Sequence, residues 1–270
     1  MQPVATSEEI VPDAGVDFLV RRLSSLARKE EAKQAAGPAN PFLPHEPDLF
    51  VADISASHFA LLNKFNVIAH HLLIVTRRFV DQEMLVDLDD FRALAACMAQ
   101  MDGLAIYNGG AVAGASQPHK HLQLVPLPFL PHGPPVPMER LFEALTGRSG
   151  IQRVPGLPFR HAFAWIQPAW FDDPDDAAAR LLALYLDLLL AVDLAPAPDN
   201  GARQAGPYNL LGTRRWMLLV PRSGESFDSV SVNSLGYAGS LFVRDEAQRH
   251  VFKRAGPMAV LRAVGLPLLK

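Results

Sequence analysis

His119, His121 and Gln123 stand at strict two-residue spacing within residues 108–128, NGGAVAGASQPHKHLQLVPLP. On a β-strand that spacing puts the three side chains on one face and sends Lys120, Leu122 and Leu124 to the other. The stretch in front holds Asn108-Gly109-Gly110 and then Gly114-Ala115-Ser116-Gln117. Its residues are small, so its backbone N–H groups can close on phosphate oxygens. One imidazole can act as a nucleophile on a phosphate ester, and the Gln123 amide can hold an oxygen without donating a charge. Spacing alone leaves two other readings open, a structural histidine pair and a zinc chelate. The nearest further donors, Cys97, His132, His70 and His71, show no ligand spacing, which makes metal the weaker of these readings.

Strands and helices must position these residues. Residues 17–33 are predicted to be a helix, because Phe18, Leu19, Leu23 and Leu26 recur at helical spacing and basic residues crowd its end. Residues 49–53, 59–65 and 72–77 read as strands, the last two as a hairpin. Residues 87–100 read as a helix with Leu88, Phe91, Leu94, Ala95 and Met98 as its apolar stripe. Residues 105–107 are a strand feeding Asn108, and 126–137 a Pro-rich loop that leaves His132 facing solvent. Beyond a Gly-, Pro- and Arg-rich junction at 148–158, residues 159–166 read as a strand, 177–192 as a helix and 194–206 as a polar loop. There is also an internal echo. Residues 65–68 followed by 72–77 resemble residues 208–211 followed by 217–222, each pair reading as two strands joined by a short polar turn.

Composition narrows the class. The chain has 270 residues, 49% of them apolar and 20% charged, with a net charge of −3. Those proportions suit a globular protein with a sizeable core, and the charge offers no basic field for a long nucleic acid. The single cysteine, Cys97, excludes an internal disulfide and fits a reducing compartment. The N-terminal segment MQPVATSEEIVPD is acidic and polar, unlike a signal peptide. The longest apolar run, 181–194, contains Asp187 and Asp193 and is too short to span a bilayer. The expectation is a cytoplasmic protein with neither membrane nor nucleic-acid partner. The oligomeric state is not fixed by these features.

His119-Lys120-His121-Leu122-Gln123, preceded by Asn108 and by Gly114-Ala115-Ser116-Gln117, resembles the active-site signature of the diadenosine tetraphosphate phosphorylases, also called ATP adenylyltransferases, of the histidine-triad superfamily. Ordinary histidine-triad hydrolases have a third His where this chain has Gln123. The Gln variant marks the transferase branch, which includes galactose-1-phosphate uridylyltransferase. Asn63-Lys64-Phe65-Asn66-Val67 resembles the family's Asn-Lys-Phe block, and Asn233-Ser234-Leu235-Gly236-Tyr237-Ala238-Gly239 its C-terminal block. Arg244 stands where members carry Lys, and Ser240 where they often carry Met. Arginine keeps the charge and adds a two-pronged fork for phosphate.

The resemblance implies an α+β protein with a duplicated histidine-triad-like fold, antiparallel sheets with packed helices. Residues 1–150 would be the catalytic half, and 151–270 a degenerate half completing the nucleotide site. His121 would be the nucleophile, His119 a brace, and Gln123 the residue that disfavours water as acceptor. Substrate contacts would come from Lys33, Asn63, Lys64, Asn108, Gly114, Ala115, Ser116, Gln117, Asn233, Ser234 and Arg244. The expected reaction is phosphorolysis of diadenosine tetraphosphate by inorganic phosphate to ATP and ADP, reversibly, through an adenylyl-histidine. No permanently bound cofactor or protein metal site is expected, though Mg²⁺ could arrive with the polyphosphate. Two alternatives follow from the same residues. A hexose-1-phosphate nucleotidylyltransferase shares His-x-His-x-Gln but usually has Pro where this chain has Lys120. A non-catalytic dinucleotide-binding sensor would not need His121 and Gln123 intact.

Overall fold

Asp13-Ala14-Gly15 makes the first turn of the chain. Ala14 and Gly15 both take positive φ, 48° and 81°, the geometry of a two-residue hairpin turn. It joins strand β1 (Ala5–Asp13) to β2 (Val16–Leu23), which pair antiparallel. The computed structural model describes residues 5–23, 40–66, 68–196 and 201–269. Residues 17–23 are therefore strand, a correction to the predicted helix. Val16, Phe18, Leu19, Val20 and Arg21 are all buried, so the apolar run of β2 is covered on both faces and lacks alternation. The remainder of that predicted helix, Lys33 included, lies outside the described residues.

Strands β3 (Phe50–Asp53), β4 (His58–Leu62) and β5 (Leu72–Thr76) follow. Then come helix α1 (Leu88–Gln100), β6 (Gly103–Gly109) and β7 (His121–Pro126). Asp87 caps α1 by accepting the N–H groups of Asp89 and Asp90, while the Asp90 carboxylate accepts the Asp87 N–H. Such a cap contributes about 1 kcal/mol. A four-residue helix α2 (Glu139–Phe142) leads to β8 (Ala162–Trp165), helix α3 (Pro174–Ala191), and strands β9 (Tyr208–Gly212) and β10 (Trp216–Pro221). A small hairpin, β11 (Ser226–Phe227) and β12 (Val230–Ser231), precedes the one-turn helix α4 (Ser234–Tyr237). Strand β13 (Ser240–Val243) and helices α5 (Glu246–Ala255) and α6 (Pro257–Val264) end the described order.

Eight strands form one antiparallel sheet in the order β3-β4-β5-β7-β6-β9-β10-β8. A second sheet holds β1, β2 and β13, with β13 parallel to β2. One face of the large sheet packs Tyr107, Leu122, Leu124 and Leu210 against Phe91 of α1 and Leu181 and Tyr185 of α3. Its other face packs Ile106, Val125, Leu211 and Val220 with Phe18, Val243, Leu235 and Leu261 from the second sheet and the C-terminal helices. The protein is α+β, with antiparallel sheets and packed helices.

The centre of the large sheet reads the same from either side. β6 pairs with β9, Asn108 opposite Asn209, and each Asn follows a tyrosine, Tyr107 and Tyr208, with ring centroids 6.0 Å apart. Outward from this seam run β6, β7, β5 on one side and β9, β10, β8 on the other. Chain order repeats as well, β5-α1-β6-β7 and β8-α3-β9-β10. The repeat differs from the echo read in the sequence. β9 corresponds to β6, whereas Phe65 and Ile68 belong to the turn between β4 and β5, and Val67 lies outside the described residues. Pairing also fixes which residues correspond. Gln123 stands opposite Ile106, two residues before Asn108. Arg222 donates its N–H to the carbonyl of Pro207 (2.9 Å), two residues before Asn209, and so takes Gln123's place in the second half. Val220, opposite Asn209, takes that of His121.

Candidate active site

The alternation expected of the motif is present. His121 and Gln123 lie on β7, and His119 precedes it, bridged to Asp81. Phe42, itself buried, lies 5.6 Å from the His119 ring and 5.2 Å from the His121 ring, so both imidazoles share one side. Lys120 goes to the other side. Its ammonium donates to the Leu85 carbonyl (2.7 Å) and pairs with the buried Asp90 carboxylate, beside α1.

His119 is held at both nitrogens. Its Nε2–H donates to the carbonyls of Thr76 (2.9 Å) and Arg78 (3.1 Å), and its Nδ1 accepts from Asn40 Nδ2 (3.0 Å). Asn40 cannot turn over, because its Oδ1 takes the Phe42 N–H at 3.0 Å. Burial pushes the His119 pKa below its usual 6.5, against the opposite pull of the two carbonyls. A neutral ring with no nitrogen facing a substrate braces; it does not react.

His121 is held differently. Its Nδ1 lies 2.8 Å from the His119 carbonyl, which puts the proton on Nδ1 and the lone pair on Nε2. Its backbone N–H donates to Gln82 Oε1 (2.9 Å), while Gln82 Nε2 donates to the carbonyls of Asn108 (2.9 Å) and His121 (3.2 Å). Gln82 thus clamps β6 to β7 where the loop between them leaves the sheet.

That loop needs its glycines. Gly114 has φ +89°, and a Cβ there would lie 2.8 Å from Asn233 Cβ and 2.9 Å from the Val232 carbonyl. The close approach seats the loop on the C-terminal Asn233-Ser234 block. Gly114, Ala115, Ser116 and Gln117 are half-buried, and among the described residues nothing accepts the N–H of Ser116 or Gln117. Beneath the loop, Asn108 Oδ1 accepts from Asn209 Nδ2 (2.8 Å), Ser234 Oγ (2.7 Å) and Ser234 N–H (3.0 Å). Asn209 also donates to the Ala113 carbonyl (2.8 Å), and its Oδ1 accepts from Arg222 Nη1 (2.5 Å). Arg222 is buried and reaches the carbonyls of Val264 (3.1 Å) and Gly224 (2.7 Å), and burial lowers its pKa. Asn233 caps α4 by accepting the Leu235 N–H at 3.0 Å.

The structure brings His119, His121, Gln123, Asn108, Gly114 and the Asn233-Ser234 block into one connected region. Asn63 joins it through His71: Asn63 Nδ2 lies 3.5 Å from His71 Nδ1, and His71 Nε2 lies 2.8 Å from Gln123 Oε1. Lys64 is paired with Glu46 (2.6 Å) on an exposed turn. Arg244 follows β13 on the small sheet, its N–H on Gln248 Oε1 (2.9 Å). Sequence reasoning missed Gln82, Asn40, His71, Asn209 and Arg222. Asn209 and Arg222 lie inside the echo and carried a signal. Gln82 and Asn40 lie in loops, where no periodicity marks them. Among the described residues no group of three or more His, Cys, Asp or Glu is placed to hold a metal ion. Nor is any helix there long and apolar enough to cross a membrane.

The Ap4A phosphorylase N-terminal domain matches residues 1–144, and the ATP adenylyltransferase C-terminal domain matches residues 155–267. Diadenosine 5',5'''-P1,P4-tetraphosphate phosphorylase 2 of Saccharomyces cerevisiae is 26% identical over 255 residues, 87% of this chain and 78% of that protein. Protein APA1 of the same yeast matches with the same identity and extent. The crystal structure of yeast Ap4A phosphorylase Apa2 in complex with Ap4A superposes with a TM-score of 0.76 at 23% identity, covering 100% of this chain and 93% of that one, a likeness of fold. With more than half of its residues matched by the first of the two domain families and most of the remainder by the second, the chain belongs to the Ap4A phosphorylase, or ATP adenylyltransferase, family.

Proposed function

We propose that this chain phosphorolyses diadenosine 5',5'''-P1,P4-tetraphosphate, taking inorganic phosphate and releasing ATP and ADP, by adenylyl transfer through His121. The observation that carries the reading is the tautomer lock: the Nδ1 proton on the His119 carbonyl at 2.8 Å leaves the lone pair at Nε2 for attack. In the first step Nε2 attacks the phosphorus next to one adenosine. The bond to the bridging oxygen breaks, ATP departs, and AMP stays bonded to His121. In the second step a phosphate oxygen attacks the same phosphorus, the P–N bond breaks, and ADP leaves. Run backwards, the steps join ATP and ADP.

Such chemistry depends on positioning and charge stabilisation. The N–H groups of Ser116 and Gln117, with Gly114 and Ala115 keeping the approach open, are assigned to phosphate oxygens. Asn108, Asn233 and Ser234 frame the loop and the nucleotide. Lys64 and Arg244 are assigned to the polyphosphate, with Lys33 as a further candidate. An exposed pair such as Lys64–Glu46 contributes at most about 1 kcal/mol, so phosphate can take Glu46's place. Gln123 cannot act as a base, which leaves water poorly activated against a bound phosphate anion. A divalent ion, Mg²⁺, is read as part of the polyphosphate substrate. Residues 1–150 are assigned as the catalytic half, 151–270 as the half that completes the site, and the cytoplasm as the compartment.

The test is turnover of diadenosine tetraphosphate with and without phosphate, the products separated by chromatography. ATP and ADP in equal amounts, formed only with phosphate and lost in His121→Ala, are expected. ATP and AMP formed without phosphate would overturn the reading.

A further inference from the structure

Asn-x-Phe occurs twice beside the motif, and each time it orients a histidine. Asn40 Oδ1 takes the N–H of Phe42 (3.0 Å) and its Nδ2 faces His119 Nδ1 (3.0 Å). Asn63 Oδ1 takes the N–H of Phe65 (3.0 Å) and its Nδ2 faces His71 Nδ1 (3.5 Å). In both cases the main-chain N–H fixes which end of the amide is oxygen, so the amide nitrogen must be the end offered to the ring. The ring is then left with its proton on Nε2. For His119 that proton goes to main-chain carbonyls; for His71 it goes to Gln123 Oε1 at 2.8 Å.

A chain of defined polarity therefore runs from the Phe65 N–H through Asn63 and His71 to Gln123. Every acceptor along it is an oxygen or a lone-pair nitrogen, and every donor an N–H. His71 is buried, and the pairing of Leu73 with Gln123 keeps it beside the motif strand. With its oxygen turned to His71, Gln123 points its N–H groups the other way.

We propose that His71, supported by Asn63, is the positioning residue that holds Gln123 as a hydrogen-bond donor toward the phosphoryl group on His121. This rests on the adenylyl-transfer reading above. A Gln123 free to turn over would set its carbonyl oxygen against phosphoryl oxygens, and that oxygen could orient a water. The donor orientation instead stabilises charge on the phosphoryl group and turns the amide oxygen away from water at that phosphorus. Asn63, assigned to the nucleotide by resemblance, is reassigned to this relay.

The test compares His71→Phe, which keeps a ring without nitrogen, with His71→Gln, whose amide nitrogen reproduces the Nε2 donor. For His71→Phe, kcat with saturating phosphate is expected to fall about tenfold, the loss of one well-placed hydrogen bond. KM should stay within about threefold, because the bond acts on the transition state more than on binding. The share of AMP among the products should rise. His71→Gln should recover most of kcat and the wild-type product ratio. The side-chain amide protons of Gln123, assigned by their loss in Gln123→Met, should lie away from the shifts of a solvent-exposed glutamine amide in wild type and move toward those shifts in His71→Phe.

The inference is overturned if His71→Phe keeps wild-type kcat and products, or if His71→Gln and His71→Phe are equally impaired. Should His71→Phe fail to fold, His71→Gln set against Asn63→Leu makes the same comparison, the first near wild type and the second impaired. The amide resonances need no substrate. If the protein does not turn over diadenosine tetraphosphate, they still decide whether His71 orients Gln123.

Discussion

Replacing Lys120 by Met tests the assignment of faces. Lys120 sits between the two motif histidines in sequence, yet its buried ammonium reaches Asp90 and the Leu85 carbonyl on the α1 side of the sheet. Asp90 is equally buried and also accepts from His58 Nε2 (3.0 Å) and the Asp87 N–H (2.7 Å). Removing one partner of a buried pair costs about 3–5 kcal/mol, and the two remaining donors put the expected loss near the lower figure. For a chain of this size that corresponds to a fall in Tm of about 6–12 °C. The pH dependence should move too. Burial pushes the Asp90 carboxyl up, but the His58 bond, the Lys120 charge and the Asp87 N–H outweigh it, and the group lies below its usual 3.8. A carboxylate depressed in the folded state contributes stability above its unfolded pKa and loses it as pH falls through the folded value. Without Lys120 the folded pKa rises, so acid unfolding should begin at higher pH. Urea unfolding at pH 7 and pH 5, with kcat measured alongside, makes the assay. Because the ammonium faces away from His121, kcat at the assay temperature should stay within about threefold of wild type. A large loss of kcat with an unchanged unfolding midpoint would place Lys120 on the substrate side and refute the assignment.

Three further outcomes follow from the same geometry. Gly114→Ala forces a Cβ into Asn233 and the Val232 carbonyl at φ +89°, so about 1–3 kcal/mol of stability and much of kcat/KM should be lost; wild-type melting and kinetics would show that the loop does not rest there. Asn209→Ala strips partners from Arg222, Asn108 Oδ1 and the Ala113 carbonyl at once, and urea unfolding should register about 2–4 kcal/mol. His119, its pKa lowered by burial, should titrate below 6.5 and carry its proton on Nε2 when neutral by nitrogen NMR, and a ring titrating at 6.5 or above would contradict its bracing role. Its contribution to stability is present above about 6.5, where the unfolded ring loses its proton, and is lost as pH falls through the lower folded value.

The chemistry was more legible than the framework. Period-two spacing at His119, His121 and Gln123 translates directly into a shared side, because strand geometry allows little else. Helix α1 was legible for the same kind of reason: a 3.6-residue stripe with Asp87, Asp89 and Asp90 at its start. Strand β2 was not, since Phe18, Leu19 and Leu23 mimic helical spacing when a strand is buried on both faces. The signal that would have corrected it was local, Asp13-Ala14-Gly15, a hairpin turn between two runs. The repeat was heard but misplaced. Apolar strands resemble one another, and the feature that locates the duplication, Tyr-Asn at 107–108 and at 208–209, lies in which strands pair and not in hydropathy. His71, weighed only as a further metal donor, and Asn40 gave no sign of these contacts, because each meets its partner through the fold alone.

The β6–β9 seam has a consequence for any attempt to take the molecule apart. β6 and β9 each lie at the margin of their own half, and each finds its second neighbour only in the other half. Severed near residue 150, either piece would end in an open strand margin with a row of main-chain donors and acceptors seeking a partner, the usual template for aggregation. The half without His119 and His121 also holds Asn209 and Arg222, on which the small-residue loop stands. Such a half lacks the motif histidines without being dispensable, and its freedom to vary ends at the line where it props up its twin.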